Sequence, residues 1–352
     1  MPPTPIRVLI VDDSALIRQL LTSLLSQDPD IEVVGSASDP YAAREKIKQL
    51  LPDVITLDIE MPRMDGLEFL HKIMTLRPMP VVMVSSLTQQ GAGTTLQALE
   101  MGAVDIVAKP TLDLQAGLAE MGEEIRTKVK AAASANVRYA HRQAVPRATA
   151  GRYVSTEKIV AIGASTGGVE ALRTVLGALP ASSPAILVTQ HMPVHFTSTF
   201  ANRLDGLCEI SVEEARDGAR VLPGHAYIAP GNRHLRLLRS GADYVCKVGG
   251  EERVSGHCPS VDVLFGSVAT AANGNAIGII MTGMGKDGAR GLLEMRNAGL
   301  LTLGQDAASS LVYGMPRAAM ECGAVQEQVP LDRIAQKIID ECGAPSRRAT
   351  RI

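Results

Sequence analysis

Short β-branched runs alternate with amphipathic stretches five times in the first 110 residues, and that alternation dictates the fold class. The extended runs lie at 6–12, 31–37, 53–58, 81–85 and 105–108. Between them, 14–27 gathers Leu16, Ile17, Leu20, Leu21, Leu24 and Leu25 on one broad helical face. Asp39-Pro40 opens the next helix as an N-cap followed by proline in the first turn. Two further helices are expected at 66–76 and 91–101. A second array starts at Lys158, with strands at 159–162, 185–190, 226–229, 235–238, 244–248 and 276–281. Its helices are expected at 169–178, 262–271 and 288–297, the middle one capped by Ser260 or Asp262. Turn residues between 227 and 248 (Pro230-Gly231-Asn232, Ser240-Gly241) indicate a hairpin or meander. The fold class is therefore α/β. A (βα)5 unit with a parallel sheet is followed by a doubly wound, mainly parallel α/β domain carrying a β-hairpin.

A chain of 352 residues is long enough for two such domains. They are placed at 5–125 and 157–342, joined by a linker at 126–156. That linker holds no acidic residue but carries Arg126, Lys128, Lys130, Arg138, Arg142, Arg147 and Arg152. It reads as a helix end running into solvated chain; a basic docking strip is the weaker reading. The tail after Gly343, with Arg347, Arg348 and Arg351, is expected to be disordered. Thirty-five basic against 37 acidic residues leave a net charge of −2, which gives no general attraction to nucleic acid or membrane. No apolar run approaches the roughly 20 residues of a membrane span. The start, Met-Pro-Pro-Thr-Pro, lacks the basic and apolar segments of a secretory signal. Cys208, Cys246, Cys258, Cys322 and Cys342 show no CxxC spacing, which points away from zinc and toward a reduced, cytoplasmic setting.

Two stretches carry chemistry. In the second half, Gly163-Ala164-Ser165-Thr166-Gly167 follows an apolar strand and precedes a helix, the spacing of a nucleophile elbow. A free serine needs a base. His191 follows strand 185–190, and Asp287 follows strand 276–281 through Thr282-Gly283-Met284-Gly285-Lys286. All three groups then meet at the carboxyl edge of one parallel sheet, in the order Ser, His, Asp rather than the Ser, Asp, His of α/β-hydrolases. A glycine-rich strand–helix turn also cradles phosphates. The spacing misses GxGxxG, yet spacing alone leaves hydrolase and nucleotide binding both open. A DNA-binding regulator is disfavoured because the second half offers no basic recognition helix.

In the first half, Asp12, Asp13 and Asp58 fall at strand ends, with Ser85 and Lys109 at two others. Strand C-termini of an open parallel sheet form the ligand crevice. Three carboxylates there repel one another unless a cation joins them, and hard oxygen ligands suit Mg²⁺.

Val11-Asp12-Asp13-Ser14, Leu57-Asp58-Ile59-Glu60-Met61-Pro62 with Asp65-Gly66, Val84-Ser85-Ser86 and Lys109-Pro110 resemble a response-regulator receiver domain over roughly 5–125. The resemblance implies phosphorylation of Asp58 by a sensor histidine kinase. It implies Mg²⁺ held by Asp13, Asp58 and the Glu60 carbonyl, with Asp12 in support. Ser85 would be the switch hydroxyl and Lys109 the phosphate contact. Many receivers carry an aromatic three positions before the lysine; Ile106 stands there. That departure points to activation by loop and helix shifts rather than by an aromatic rotamer.

Ile162-Gly163-Ala164-Ser165-Thr166-Gly167-Gly168, Gln190-His191-Met192, Ala229-Pro230-Gly231, Pro259-Ser260-Val261-Asp262 and Thr282–Gly288 resemble the catalytic domain of the CheB family, protein-glutamate methylesterase/glutaminase, over about 157–342. The resemblance implies Ser165 as nucleophile, His191 as base then acid, and Asp287 as its orienter. It implies the Met284 N–H as oxyanion donor and Thr166 as second donor or positioning group. His257 matches a histidine at the site's rim, not a catalytic one. The implied substrates are glutamyl methyl esters and glutamines on the cytoplasmic helices of chemoreceptors. Neither nucleic acid nor membrane insertion is implied, and the esterase step needs no cofactor. The receiver is expected to control access to the site.

Overall fold

The computed structural model describes residues 4–85, 89–109, 115–137, 147–148 and 158–343. Ser86, Pro110, the rest of the 126–156 linker, and Arg347, Arg348 and Arg351 lie outside the described residues. The chain divides into two compact units, Met1–Arg142 and Gln143–Ile352.

In the first unit β1 (Ile6–Val11), β2 (Ile31–Ala37), β3 (Val54–Asp58), β4 (Val81–Ser85) and β5 (Asp105–Ala108) alternate with five helices. These are α1 (Ala15–Leu25), α2 (Pro40–Leu50), α3 (Gly66–Leu76), α4 (Gln89–Glu100) and α5 (Gln115–Ala133). The sheet is parallel in the order β2-β1-β3-β4-β5. β3 and β4 are buried throughout, which is why they read as unbroken apolar runs. Ser14, Asp39 and Asp65 cap α1, α2 and α3 with their side-chain oxygens. The strand order reverses between β1 and β3, so Asp12, Asp13 and Asp58 open into one crevice.

Helix α5 runs eight residues past the boundary expected at 125. Its cations are held by groups of the same unit. Arg126 donates to the Leu24 carbonyl, Lys128 pairs with Glu124 at 2.8 Å, and Lys130 with Asp28 at 2.7 Å. Residues 126–133 are thus the expected helix end, and the three cations are paired within their own unit.

The second unit is a seven-stranded parallel sheet, β14-β13-β12-β6-β7-β9-β8, with a separate two-stranded ribbon, β10-β11. Its strands are β6 (Ile159–Ala164), β7 (Ala185–Gln190), β8 (Ser211–Glu214), β9 (His225–Ile228), β10 (His234–Ser240), β11 (Asp243–Gly249), β12 (Ala276–Ile280), β13 (Leu301–Gln305) and β14 (Glu327–Val329). Six helices connect them: α6 (Gly168–Gly177), α7 (Val194–Asp205), α8 (Val261–Ala271), α9 (Ala289–Asn297), α10 (Met315–Glu321) and α11 (Leu331–Gly343). From β6 the chain builds outward on one side to β7, β9 and β8, then returns to lay β12 on the other. The switch point therefore lies between β6 and β12, where Ser165 and the 282–287 loop emerge.

Two expectations change. β6 does not stop at Gly163, because Gly163 still pairs with Thr189 and Ile280 and the strand ends at Ala164. The 227–248 stretch is not one meander. β9 is a parallel member of the main sheet, and only β10 and β11 form the hairpin. None of the five cysteines, all of them among the described residues, forms a disulfide.

Candidate active site and acidic pocket

The second unit's site grows from strand register. Ala164 of β6 faces Gln190 of β7, so Ser165 and His191 are the next residues out of two paired strands. The His191 N–H donates to the Ala164 carbonyl at 3.1 Å, and the Ser165 N–H to the Thr282 carbonyl at 3.0 Å. These bonds tie three loops together beyond the sheet edge. Ser165 differs from an α/β-hydrolase elbow in one respect: the left-handed backbone falls at Gly167, with φ of +78°, and not at the serine. Gly283 lies so close that an added Cβ would come within 2.8 Å of Ser165 Cβ.

Asp287 is 1% exposed and its carboxylate is saturated with donors. His191 Nε2 lies 2.8 Å from Oδ2. The Val261 N–H donates to the same oxygen at 2.7 Å, and Ser260 Oγ and the Asp262 N–H donate to Oδ1. Asp287 thus supplies the cap that α8 lacks from its own N-cap residue, Ser260. Burial alone would raise its pKa. The His191 contact and the α8 amides outweigh that and hold it below the usual carboxylate value. An ionised Asp287 can only accept, so Nε2 carries the imidazole proton. Nδ1 is then the basic nitrogen; it is buried and has no hydrogen-bond partner. His257 stacks on His191, ring centroids 3.8 Å apart and planes 11° from parallel. The structure brings His191 and Asp287 into contact and sets Ser165 at the neighbouring strand end, without a hydrogen bond between Ser165 and Nδ1. Catalytic hydrogen bonds in unliganded enzymes are commonly open in this way.

The supporting shell has its own logic. Asp262 Oδ1 accepts the Gly288 and Gly291 N–H groups at 3.1 and 2.8 Å, and Oδ2 accepts Ser255 Oγ. One carboxylate thereby fixes both the start of α9, just past Asp287, and the His257 loop. Asp262→Ala should lower the unfolding free energy by about 2 kcal/mol, because it removes a cap and leaves buried donors unpaired. Denaturant melts of the full chain would read this directly. Thr166 is buried, and its carbonyl accepts Thr282 Oγ1. The Met284 N–H makes no hydrogen bond among the described residues.

In the first unit, Lys109 Nζ lies 2.7 Å from Asp58 Oδ2 and 3.6 Å from Asp12 Oδ2. Both oxygens are buried, with the Lys109 ammonium as their ion-pair partner. Burial, with the Asp12 charge adding to it, pushes the Asp58 pKa up to about 6 against the pull of Lys109. Burial also raises that of Asp12. Lys109 moves up as well, since its carboxylate partners outweigh its own burial. Carboxylate oxygens of Asp12, Asp13 and Asp58 all lie within 4.8 Å of one another. Three carboxylates against one ammonium leave an excess of negative charge among buried oxygens, which fits a hard divalent cation. Ser85 Oγ meets Thr95 Oγ1 of α4 at 2.9 Å, and Thr95 donates to the Gly91 carbonyl, so the Ser85 hydroxyl is the donor of that pair. A cavity of about 490 Å³ beside it is lined by Glu60, Met61, Asp65 and Ser85 among others. Ile106 is buried in β5.

The Asp58 carboxyl holds its proton more tightly when folded, so in divalent-free buffer its contribution to stability falls as pH rises from about 4 through about 6. Asp58→Asn should remove that slope and stabilise the first unit at pH 7 by on the order of 2 kcal/mol. Unfolding followed with EDTA and then with Mg²⁺ checks both halves: Mg²⁺ should stabilise the wild type and leave Asp58→Asn nearly unmoved.

Comparisons with known proteins bear on both units. Residues 160–338 match the CheB methylesterase model and residues 8–119 the response regulator receiver domain model. The protein-glutamate methylesterase/protein-glutamine glutaminase 2 of Xanthomonas oryzae pv. oryzae is 58% identical over 347 residues, spanning 96% of this chain and 97% of its own. The chain belongs to the CheB methylesterase family. A Geobacter metallireducens protein-glutamate methylesterase/protein-glutamine glutaminase 1 is 56% identical over the whole of both chains. The crystal structure of the Thermotoga maritima CheB methylesterase catalytic domain matches with TM-score 0.52 and 36% identity, covering 53% of this chain and 99% of that one. The chain is thus a hydrolase of the CheB type joined to a receiver domain. Thr95 was missed altogether by sequence reasoning. Gln190, Ser260 and Asp262 stood inside motifs of the CheB resemblance, but no site role was given to them beyond the helix cap at Ser260 or Asp262. Among the described residues no helix is long and apolar enough to cross a membrane.

Proposed function

We propose that this chain hydrolyses glutamyl γ-methyl esters, and deamidates glutamines, on the cytoplasmic helices of chemoreceptors, with Ser165 as nucleophile and phosphorylation of Asp58 as the control. The observation that carries the reading is the buried His191–Asp287 couple at 2.8 Å, which leaves Nδ1 without a hydrogen-bond partner on the residue that follows β7, while Ser165 follows the paired strand β6. An anionic couple there also disfavours a phosphate, which weighs against nucleotide binding.

Ser165 Oγ attacks the ester carbonyl carbon while His191 Nδ1 takes its proton. The C–O bond forms and the carbonyl oxygen becomes an oxyanion, which the free Met284 N–H is suited to receive, with Thr166 positioning the turn. Collapse breaks the bond to methoxide, which leaves as methanol with the proton from Nδ1. Water then adds to the acyl-enzyme, again giving its proton to Nδ1, and returns Ser165 and a glutamate carboxylate. With a glutamine, the same steps expel ammonia. Asp287 holds the imidazole tautomer and stabilises the imidazolium throughout.

In the receiver, Asp13, Asp58 and the Glu60 carbonyl would hold Mg²⁺, with Asp12 in support. When bound, that ion neutralises phosphoryl oxygens during transfer to Asp58 from a sensor histidine kinase. Lys109 then meets the phosphate, and Ser85 exchanges its Thr95 contact for a phosphoryl oxygen. That exchange frees the first turns of α4. A reduced cytoplasmic location suits a substrate on receptor cytoplasmic helices.

A fluorophosphonate should label wild-type chain at Ser165, with labelling lost in Ser165→Ala and strongly slowed in His191→Gln. Calorimetry with ATP or GTP should give no binding to the second unit. Labelling elsewhere, or tight nucleotide binding, would overturn the reading.

A further inference from the structure

Gln190 closes β7 immediately before His191 and is 3% exposed. Its Nε2 donates to two carbonyls, that of Ser165 at 2.9 Å and that of His191 at 3.1 Å. The same Ser165 carbonyl takes the Gly168 N–H at 2.7 Å, the bond that closes the turn into α6. One carboxamide therefore spans the two loops that carry the nucleophile and the base.

Its orientation is forced. A flipped amide would point an oxygen at two carbonyl oxygens, so the donors must face them. The consequence is that Oε1 is buried without a partner. It rests against the backbone of Gly168, where an added Cβ would come within 2.0 Å of it. An orphaned buried acceptor is costly and calls for a reason. A packing role would be met by any apolar residue of this length, at no such cost.

We propose that Gln190 is a positioning residue that sets the separation of Ser165 and His191. The proposal rests on the esterase reading above. The crossbrace adds a side-chain tie to the backbone bonds of His191 to Ala164 and Ser165 to Thr282, and it is the one that joins the Ser165 carbonyl to the end of β7. Its loss lets them drift, and a misplacement of about 1 Å at reacting groups costs roughly 100-fold in rate.

The test compares full-length wild type, Gln190→Met, Gln190→Glu and Ser165→Ala on a γ-methyl glutamyl peptide, reading kcat and KM across pH. Gln190→Met keeps the length and removes the donors; kcat should fall about 10–100-fold with KM within twofold. Gln190→Glu should be as slow at pH 8. At lower pH the introduced carboxyl becomes protonated and regains one donor, so the kcat of Gln190→Glu relative to wild type should rise as pH falls. That inversion is not expected of a merely structural residue. If Gln190→Met does not fold, the Gln190→Glu profile decides alone. Wild-type kcat in Gln190→Met, a change confined to KM, or a pH-independent ratio for Gln190→Glu would overturn the proposal. Activity retained in Ser165→Ala would instead overturn the esterase reading on which it stands.

Discussion

Ser165→Ala should eliminate methanol release from methyl-esterified receptor, a loss of about 10⁶-fold in kcat if the chain behaves as other serine nucleophile enzymes do. The effect is expected to be purely chemical. Ser165 is only partly buried, and its N–H and carbonyl, not its hydroxyl, tie the turn to Thr282, Gly168 and Gln190. Alanine keeps every one of those backbone bonds, so the melting temperature should move by no more than a degree or two. Phosphoryl uptake at Asp58 should be untouched. A mutant that keeps its fold and its esterase rate would exclude Ser165 as the nucleophile.

Asp287→Asn should cost about 10⁴-fold in kcat, and for a more particular reason than lost charge. The carboxylate accepts from His191 Nε2, Ser260 Oγ and the Val261 and Asp262 N–H groups. An asparagine has only one acceptor oxygen for four donors. Its amide group would stand either at the Oδ2 position, facing Nε2 and the Val261 N–H, or at the Oδ1 position, facing Ser260 Oγ and the Asp262 N–H. In the first case the imidazole proton moves to Nδ1 and the base is lost. In either case a buried α8 donor is left against the amide and the helix loses part of its cap. The variant should therefore also be destabilised, by about 2–3 kcal/mol, which separates it from the silent stability of Ser165→Ala. Steady-state kinetics alongside denaturant melts would read both effects. Near-normal kcat in a destabilised protein would leave Asp287 as a helix cap only.

The first unit was largely legible because its central strands β3 and β4 are buried on both faces and helices α2 and α3 announce their caps, as Asp39-Pro40 and Asp65-Gly66 do. The loops that carry Ser165, His191 and Asp287 were placed by the same logic, since residues after parallel strands must gather at one edge. What escaped had weak local signals. β13 carries Thr302, Gly304 and Gln305, whose polar groups are satisfied only by tertiary partners such as the Ala324 carbonyl and Thr282 N–H. β14 is three residues long with two exposed, and α7 starts from Pro193 without a side-chain cap. β9 was drawn into the hairpin by Pro230-Gly231-Asn232, because turn chemistry does not say which strand the chain pairs with next. In the sites, Thr95 and the contacts of Gln190 were invisible for a similar reason. A carboxamide or hydroxyl declares its role only when its partners, distant in sequence, are in place. Ser260 or Asp262 was read as the cap of α8; Ser260 does hold the N-cap position, but the capping oxygens come from Asp287.

The measurement that bears most directly on control of Ser165 by Asp58 is methanol release from methyl-esterified receptor by the full-length chain, with Mg²⁺, in the presence and absence of a small phosphodonor such as acetyl phosphate. The rate should rise several-fold with the phosphodonor in wild type, stay at the basal level in Asp58→Asn, and be absent in Ser165→Ala under both conditions. Equal wild-type rates with and without phosphodonor, while Asp58 is shown to be phosphorylated, would contradict it.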